Sequence, residues 1–150
     1  MSERVDKAEA LFRQGYNCAQ AVFAAYADLF GMDTQTALKV SAGLGGGVGR
    51  QREVCGTVTG AAMILGLQYG ATDGKDAAQK QLCYEKVREY TAEFKKTNPS
   101  IVCRELLGIG DKQETAAPAA RTDVYYQKRP CAQIVRDSAE ALEKTLKELF

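Results

Sequence analysis

The five cysteines, Cys18, Cys55, Cys83, Cys103 and Cys131, carry the most reactive side chains of this chain, and no histidine stands beside them. The missing imidazole removes Cys–His and Ser–His dyads, His metal ligands and the Cys-x-x-Cys-His haem attachment. What is left for the sulfurs is thiolate chemistry: a nucleophile, a redox thiol or an all-sulfur metal site. An odd count, behind a charged start without an apolar leader (Met-Ser-Glu-Arg-Val-Asp-Lys), argues against a secreted disulfide framework and for a cytoplasmic protein.

Cys55 is the candidate catalytic thiol. It closes a run in which five glycines fall between positions 43 and 49, where the backbone can take conformations closed to other residues. A helical apolar run, Val54 to about Tyr69, begins at once. A sulfur placed where a flexible loop enters a buried helix meets unpaired N–H groups and the positive end of the helix dipole, and both favour the thiolate. Arg50 and Arg52, just upstream, add positive charge. Gly45, Gly46, Gly47, Gly49 and Gly56 are the candidate cofactor-binding residues, since their N–H groups could reach the sulfurs of a bound cluster. The same stretch also fits a tight turn feeding a packed helix, with Cys55 a small core residue.

Hydrophobic spacing and punctuation predict helices over about 2–14, 17–30, 34–42, 54–70, 75–97, 100–107 and 130–149. Asn17 and either Asp33 or Thr34 read as N-caps, Gly15, Gly31 and Gly108 as stops, and Pro130 as a first-turn residue. Gly56 and Gly60 share one helix face and permit close approach of a neighbour. The polar stretch from Ile109 to Lys128 reads as a long loop, with Tyr125 and Tyr126 able to anchor its end. No strand alternation and no internal repeat appears. The expectation is an all-α single domain over 1–150, a bundle of six or seven helices with a glycine-rich loop before the central one.

Cys18, Cys55, Cys103 and Cys131 each fall in a predicted first turn, whereas Cys83 lies mid-helix on an apolar stripe with Val87, Tyr90 and Phe94 and reads as core packing. Cys18, Cys55 and Cys103 open the second, fourth and sixth helices. Alternate helices of an up-and-down bundle start at the same end, and the long loop can return the seventh there. The four sulfurs are therefore expected to converge beneath four helix N-termini, as the candidate metal ligands. No Cys-x-x-Cys pair supports a local chelate, so first-turn placement carries this expectation.

The remaining composition excludes more than it suggests. With 20 basic and 19 acidic residues the net charge is +1, which steers the chain to neither nucleic acid nor an anionic membrane. The longest uncharged stretch, Val54 to Thr72, holds four glycines, three threonines and a glutamine, and suits a buried helix better than a membrane span. No Lys-Ser or Lys-Thr follows the glycine run, so it is no P-loop, and the residues before it read helical, which excludes the Rossmann context.

The run Gly45-Gly-Gly-Val-Gly-Arg, the segment Val54-Cys-Gly-Thr-Val-Thr-Gly-Ala61, Asn17-Cys-Ala-Gln-Ala-Val22 upstream, and Cys103 and Cys131 downstream together resemble the redox-active C_GCAxxG_C_C family. The resemblance covers nearly the whole chain and implies a helical domain with a redox or iron–sulfur role. The family label has Gly before its central cysteine and Ala after it; Val54 and Gly56 stand there in this chain.

Three functions compete on the sequence. One is an electron-transfer protein whose four thiolates hold an iron–sulfur cluster. Another is a metal-free thiol–disulfide protein working through the same cysteines with an unknown redox partner protein. The last is a non-enzymatic helical binding module with a structural zinc site made of the four cysteines. The glycine-bearing helix face leaves room for a homodimer.

Overall fold

The computed structural model describes residues 2–109 and 115–150. Among the described residues there are eight α-helices and no strand, and the class is all-α. In order they are α1 (Glu3–Arg13), α2 (Cys18–Tyr26), α3 (Thr34–Ser41), α4 (Gly56–Tyr69), α5 (Ala77–Phe94), α6 (Cys103–Leu107), α7 (Asp123–Lys128) and α8 (Cys131–Thr145). Short 3₁₀ turns extend α2 over Ala27–Phe30 and α3 over Ala42–Leu44.

The caps are written in the sequence. Ser2, Asn17, Asp33, Asp76 and Thr122 each accept a backbone N–H of the helix they open. At Asn17 the reciprocal bond from its own N–H to Gln20 Oε1, 3.0 Å, completes a capping box. Gly31 and Gly108 close their elements with φ of +80° and +68°, the left-handed conformation that glycine adopts without a Cβ penalty.

α2 is the centre of the molecule. Of its residues, Ala19 and the run Ala21 to Tyr26 are all buried, so it is apolar on every side and needs neighbours all round. α1, α4 and α8 supply them, and α5 packs behind against α4 and α8. Val22, Phe23, Ile64, Leu65, Tyr90, Phe94, Val135 and Leu142 form the middle of the core; each fully buried side chain of this size contributes about 1.5–3 kcal/mol. No helix among the described residues is long and apolar enough to cross a membrane.

Three expectations need correction. α4 begins at Gly56, so Cys55 is its N-cap residue rather than part of its first turn. The stretch from Ile109 to Lys128 is not all irregular, because Thr122 caps a short helix, α7, within it; residues 110–114 of that stretch lie outside the described residues. Cys83 lies mid-helix on α5 as expected but is only half-buried, packed on the edge of the core, while Tyr90 and Phe94 further along its stripe are fully buried.

Gly60 lies at a close approach of α4 to α2. A Cβ there would lie 2.9 Å from the Ala19 carbonyl oxygen, whereas a Cβ on Gly66, further along the helix, meets nothing within 4 Å. Gly60→Ala should therefore destabilise by about 1–3 kcal/mol as the helices are forced apart. Gly66→Ala should stabilise by about 0.5–1 kcal/mol through helix propensity. Thermal melts of the two variants, followed by helical circular dichroism, should move in opposite directions.

Candidate functional site

Cys18, Cys103 and Cys131 are each the first residue of a helix, and Cys55 caps another. All five cysteines are free thiols, and those four line a single cavity of about 330 Å³. Phe12, Leu106, Ile134 and Tyr125 form much of its apolar wall. Cys83, on α5, is not part of it.

The glycine loop is built around Cys18. Asn17 Nδ2 donates to the Ala42 carbonyl at 2.9 Å, pinning the loop's entry to the start of α2. The chain then runs left-handed through Gly46, Gly47, Val48, Gly49 and Arg50, with φ between +57° and +70°, and again at Arg52 with φ +60°. Backbone bonds hold the shape, among them Gly49 N–H to Gly43 O at 2.9 Å and Glu53 N–H to Gly47 O at 2.9 Å. Each non-glycine residue held so costs about 1–2 kcal/mol, so Val48, Arg50 and Arg52 carry strain of the kind that clusters at functional sites. Gly47 has no substitute here, because a Cβ would lie 2.6 Å from Glu53 N.

The result is a sulfur surrounded by donors. The Cys55 thiol and the N–H groups of Gly46, Gly56 and Ala19 all favour the ionised Cys18 sulfur. The Cys55 thiol does most to stabilise the Cys18 thiolate and the three N–H groups add to it, bringing Cys18 down to about 6 against the opposing effect of burial. A Cβ on Gly56 would lie 2.7 Å from that sulfur, so this glycine is what lets α4 approach it. Cys55 shows the reverse behaviour. It is buried, and its hydrogen bond to Cys18, its burial and the Cys18 charge all hold its proton on, raising it well above the ordinary thiol value. Thr57 Oγ1 lies 3.1 Å from Cys55 Sγ and opposes that shift by donating to the sulfur.

Behind Thr57 a buried polar set keeps the wall in place. Tyr90 Oη and Ser138 Oγ are 2.7 Å apart, and Ser138 Oγ donates to the Thr57 carbonyl at 3.0 Å. An isolated antiparallel bridge, Val54 with Val102, ties Cys55 to Cys103. Cys55 N–H donates to Ile101 O at 2.7 Å and Cys103 N–H to Glu53 O at 2.6 Å. Arg52 Nη1 lies 3.6 Å from Cys103 Sγ. Burial pushes the Cys103 thiol up and Arg52 opposes it. Burial, with the negative charge of Cys18 next, pushes Cys131 up to about 12.

The sequence singles out Cys55 as the candidate catalytic thiol; its surroundings favour the protonated form of Cys55 and the ionised form of Cys18. Of the five singled-out glycines, Gly45, Gly46 and Gly49 line the cavity, Gly47 shapes the loop behind it, and Gly56 packs on Cys18. Arg121 and Thr57 escaped notice. Arg121 donates to the Phe12 and Tyr16 carbonyls at 2.9 and 3.0 Å, with its guanidinium 4.4 Å from the Phe12 ring centre, and so holds its segment on α1. The one signal for it was an arginine shortly before the Tyr125–Tyr126 pair. Among the described residues, no group of three or more His, Cys, Asp or Glu side chains is assembled as a metal-ion site.

Fold and cavity together define an all-α protein with four of its five cysteines at helix starts around one cavity. Residues 16–145 match the model of the family described as "Putative redox-active protein (C_GCAxxG_C_C)", and the chain belongs to that family. No curated protein and no solved structure matches it.

The Cys18 proton makes stability depend on pH. Unfolded, this thiol titrates near its ordinary value of 9.0; folded, it titrates at about 6. The depressed value stabilises the fold fully above pH 9, progressively less between 9 and 6, and not at all below 6. Cys131, raised to about 12, acts in the opposite sense and only above pH 9. With no histidine titrating in the window, the urea midpoint should climb from pH 6 to pH 9, and Cys18→Ser should flatten the climb.

Proposed function

We propose that the protein is a thiol-based redox protein in which Cys18 is the attacking thiolate and Cys55 the resolving thiol. The observation that carries this reading is the placement of Cys18 and Cys55 in one cavity with Gly56, the residue after Cys55, packed on the Cys18 sulfur; the Cys55 thiol and the N–H groups of Gly46, Gly56 and Ala19 favour the Cys18 thiolate. It leaves one sulfur ionised near neutral pH and the other protonated beside it. Membership of a family described as redox-active supports the class.

The chemistry is two exchanges. The Cys18 thiolate attacks one sulfur of a partner disulfide R–S–S–R, a Cys18–S–S–R bond forms, and RS⁻ leaves. Cys55 then passes its proton to that RS⁻ and attacks the Cys18 sulfur. The Cys18–Cys55 disulfide forms and the second RS⁻ departs. Two protein thiol groups are oxidised, and one partner disulfide is reduced to RS⁻ and RSH. Thr57, donating to Cys55 Sγ, supports that sulfur as its proton is lost.

A second reading rests on a different observation: Cys18, Cys55, Cys103 and Cys131 line one cavity, with N–H groups aimed at one of the sulfurs. Four thiolates are the ordinary ligand set of an iron–sulfur cluster, which spaces its ligands around several metal atoms and would supply one-electron transfer. The N–H groups of Gly46 and Gly56 would tune it. A lone zinc ion fits less well, because it needs its sulfurs about 2.3 Å from one point, and no such group is assembled among the described residues.

Oxidation of the reduced protein with diamide, followed by peptide mapping, should give a Cys18–Cys55 disulfide. In Cys55→Ser, treatment with a small disulfide should stop at a mixed disulfide on Cys18. Oxidation that leaves Cys18 a free thiol would refute the exchange reading. Protein purified without oxygen that is brown, and loses its iron in Cys103→Ser, would establish the cluster instead.

A further inference from the structure

One wall of the cysteine cavity is built unlike the rest. Helix starts and the glycine loop supply most of the lining, but Ala116, Pro118, Ala119, Arg121 and Tyr125 line it as well. Residues 115–121 form neither helix nor strand, and 115–120 are all exposed. Short side chains in an exposed segment bury little apolar area, so packing alone gives this wall a weak hold on the body of the protein.

Arg121 is what fastens it. Its Nη1 donates to the Phe12 carbonyl at 2.9 Å and its Nη2 to the Tyr16 carbonyl at 3.0 Å. Phe12 lies in the last turn of α1, where carbonyls lack helical partners and a cation is favoured. Tyr16 stands two residues before Cys18, so the segment is tied down beside the reactive sulfur. The guanidinium also lies 4.4 Å from the Phe12 ring centre and 5.0 Å from that of Tyr125. Tyr126 adds a second tie: its Oη donates to the Arg13 carbonyl at 3.2 Å, and its ring meets Phe12 edge-on.

Both terminal nitrogens of Arg121 are engaged on backbone, so the residue acts as a clasp and not as a ligand-binding group. The space it helps to close is about 330 Å³, the scale of a small-molecule site, and Cys18 is half-buried within it. A disulfide on a folded protein brings its flanking backbone with it and needs more room than that.

We infer that Arg121 sets the size of the disulfide exchanged here: by clasping 115–126 to α1 it restricts Cys18 to low-molecular-weight disulfides and keeps protein disulfides out. This rests on the thiol-exchange reading. The step is R–S–S–R plus the Cys18 thiolate and Cys55 thiol giving the Cys18–Cys55 disulfide, RS⁻ and RSH.

Two reagents with the same reactive end separate size from chemistry: 2-hydroxyethyl 2-pyridyl disulfide, and the same pyridyl disulfide formed on the single surface cysteine of a folded carrier protein. Release of pyridine-2-thione gives each rate, divided by that reagent's rate with 2-mercaptoethanol, and peptide mapping assigns it to Cys18. The small reagent should be faster by about a hundredfold or more, because the large one reacts only with the unclasped population. Arg121→Ala should raise the carrier-borne rate about tenfold or more and leave the small-reagent rate within about twofold. Arg121→Lys, which keeps the charge and loses the planar fork, should fall between. Should Arg121→Ala fail to fold, Tyr126→Phe, which removes only the bond to Arg13, should still raise the carrier-borne rate selectively. Equal rates in the unmodified protein, or clasp variants that change both rates alike or neither, with the Cys18–Cys55 bond still forming, would overturn the size limit and leave the exchange reading standing. No Cys18–Cys55 bond with the small reagent or with diamide would overturn both.

Discussion

The close contact between Gly56 and the Cys18 sulfur is the constraint from which the rest of the site follows. With no Cβ at Gly56, the start of α4 comes against the start of α2. That contact turns two helix N-termini toward one sulfur, and the left-handed loop then closes over it and adds the Gly46 N–H. Helix dipoles alone give modest stabilisation of an anion, about 0.3–1 kcal/mol at exposed positions. The Cys55 thiol beside the sulfur does most, and the N–H groups of Gly46, Gly56 and Ala19 add to it against the effect of burial.

The same contact sorts the remaining cysteines. Cys55 caps α4 and is brought to Cys18 by it, so its proton has a nearby acceptor and stays on. Cys103 is tethered by the Val54–Val102 bridge, a two-strand device one residue pair long, and Cys131 is brought to the cavity as the first residue of α8. Neither receives the ring of N–H groups that Cys18 has, and burial dominates both. Four cysteines at helix starts therefore do not behave alike: geometry around each sulfur, rather than position in a helix, decides its charge.

Much of this was legible in the sequence. The all-α class followed from spacing and caps, and Asn17, Asp33, Gly31 and Gly108 punctuate the chain where they were read to. Cys18, Cys55, Cys103 and Cys131, singled out by their predicted first-turn positions, all line the described cavity, and no group of three or more of them is assembled as a metal-ion site among the described residues. Which sulfur ionises was not legible. It depends on the Cys55 thiol lying beside Cys18 and on the N–H groups of Gly46 and Gly56, and these are set by a tertiary contact and by positive φ at Val48, Arg50 and Arg52, residues with no propensity for it. α7 escaped because its signal, Thr122 before a six-residue helix, is too short to rise above its polar surroundings.

The N–H groups around Cys18 favour the ionised sulfur, and a disulfide bears no such charge for them to hold. The cradle therefore lowers the free energy of the reduced protein and does nothing comparable for the oxidised one. The Cys55 thiol and this cradle together hold Cys18 ionised, and both lose that hold once the sulfur is oxidised, so a disulfide formed at Cys18 would be reduced more readily than one formed by an ordinary cysteine.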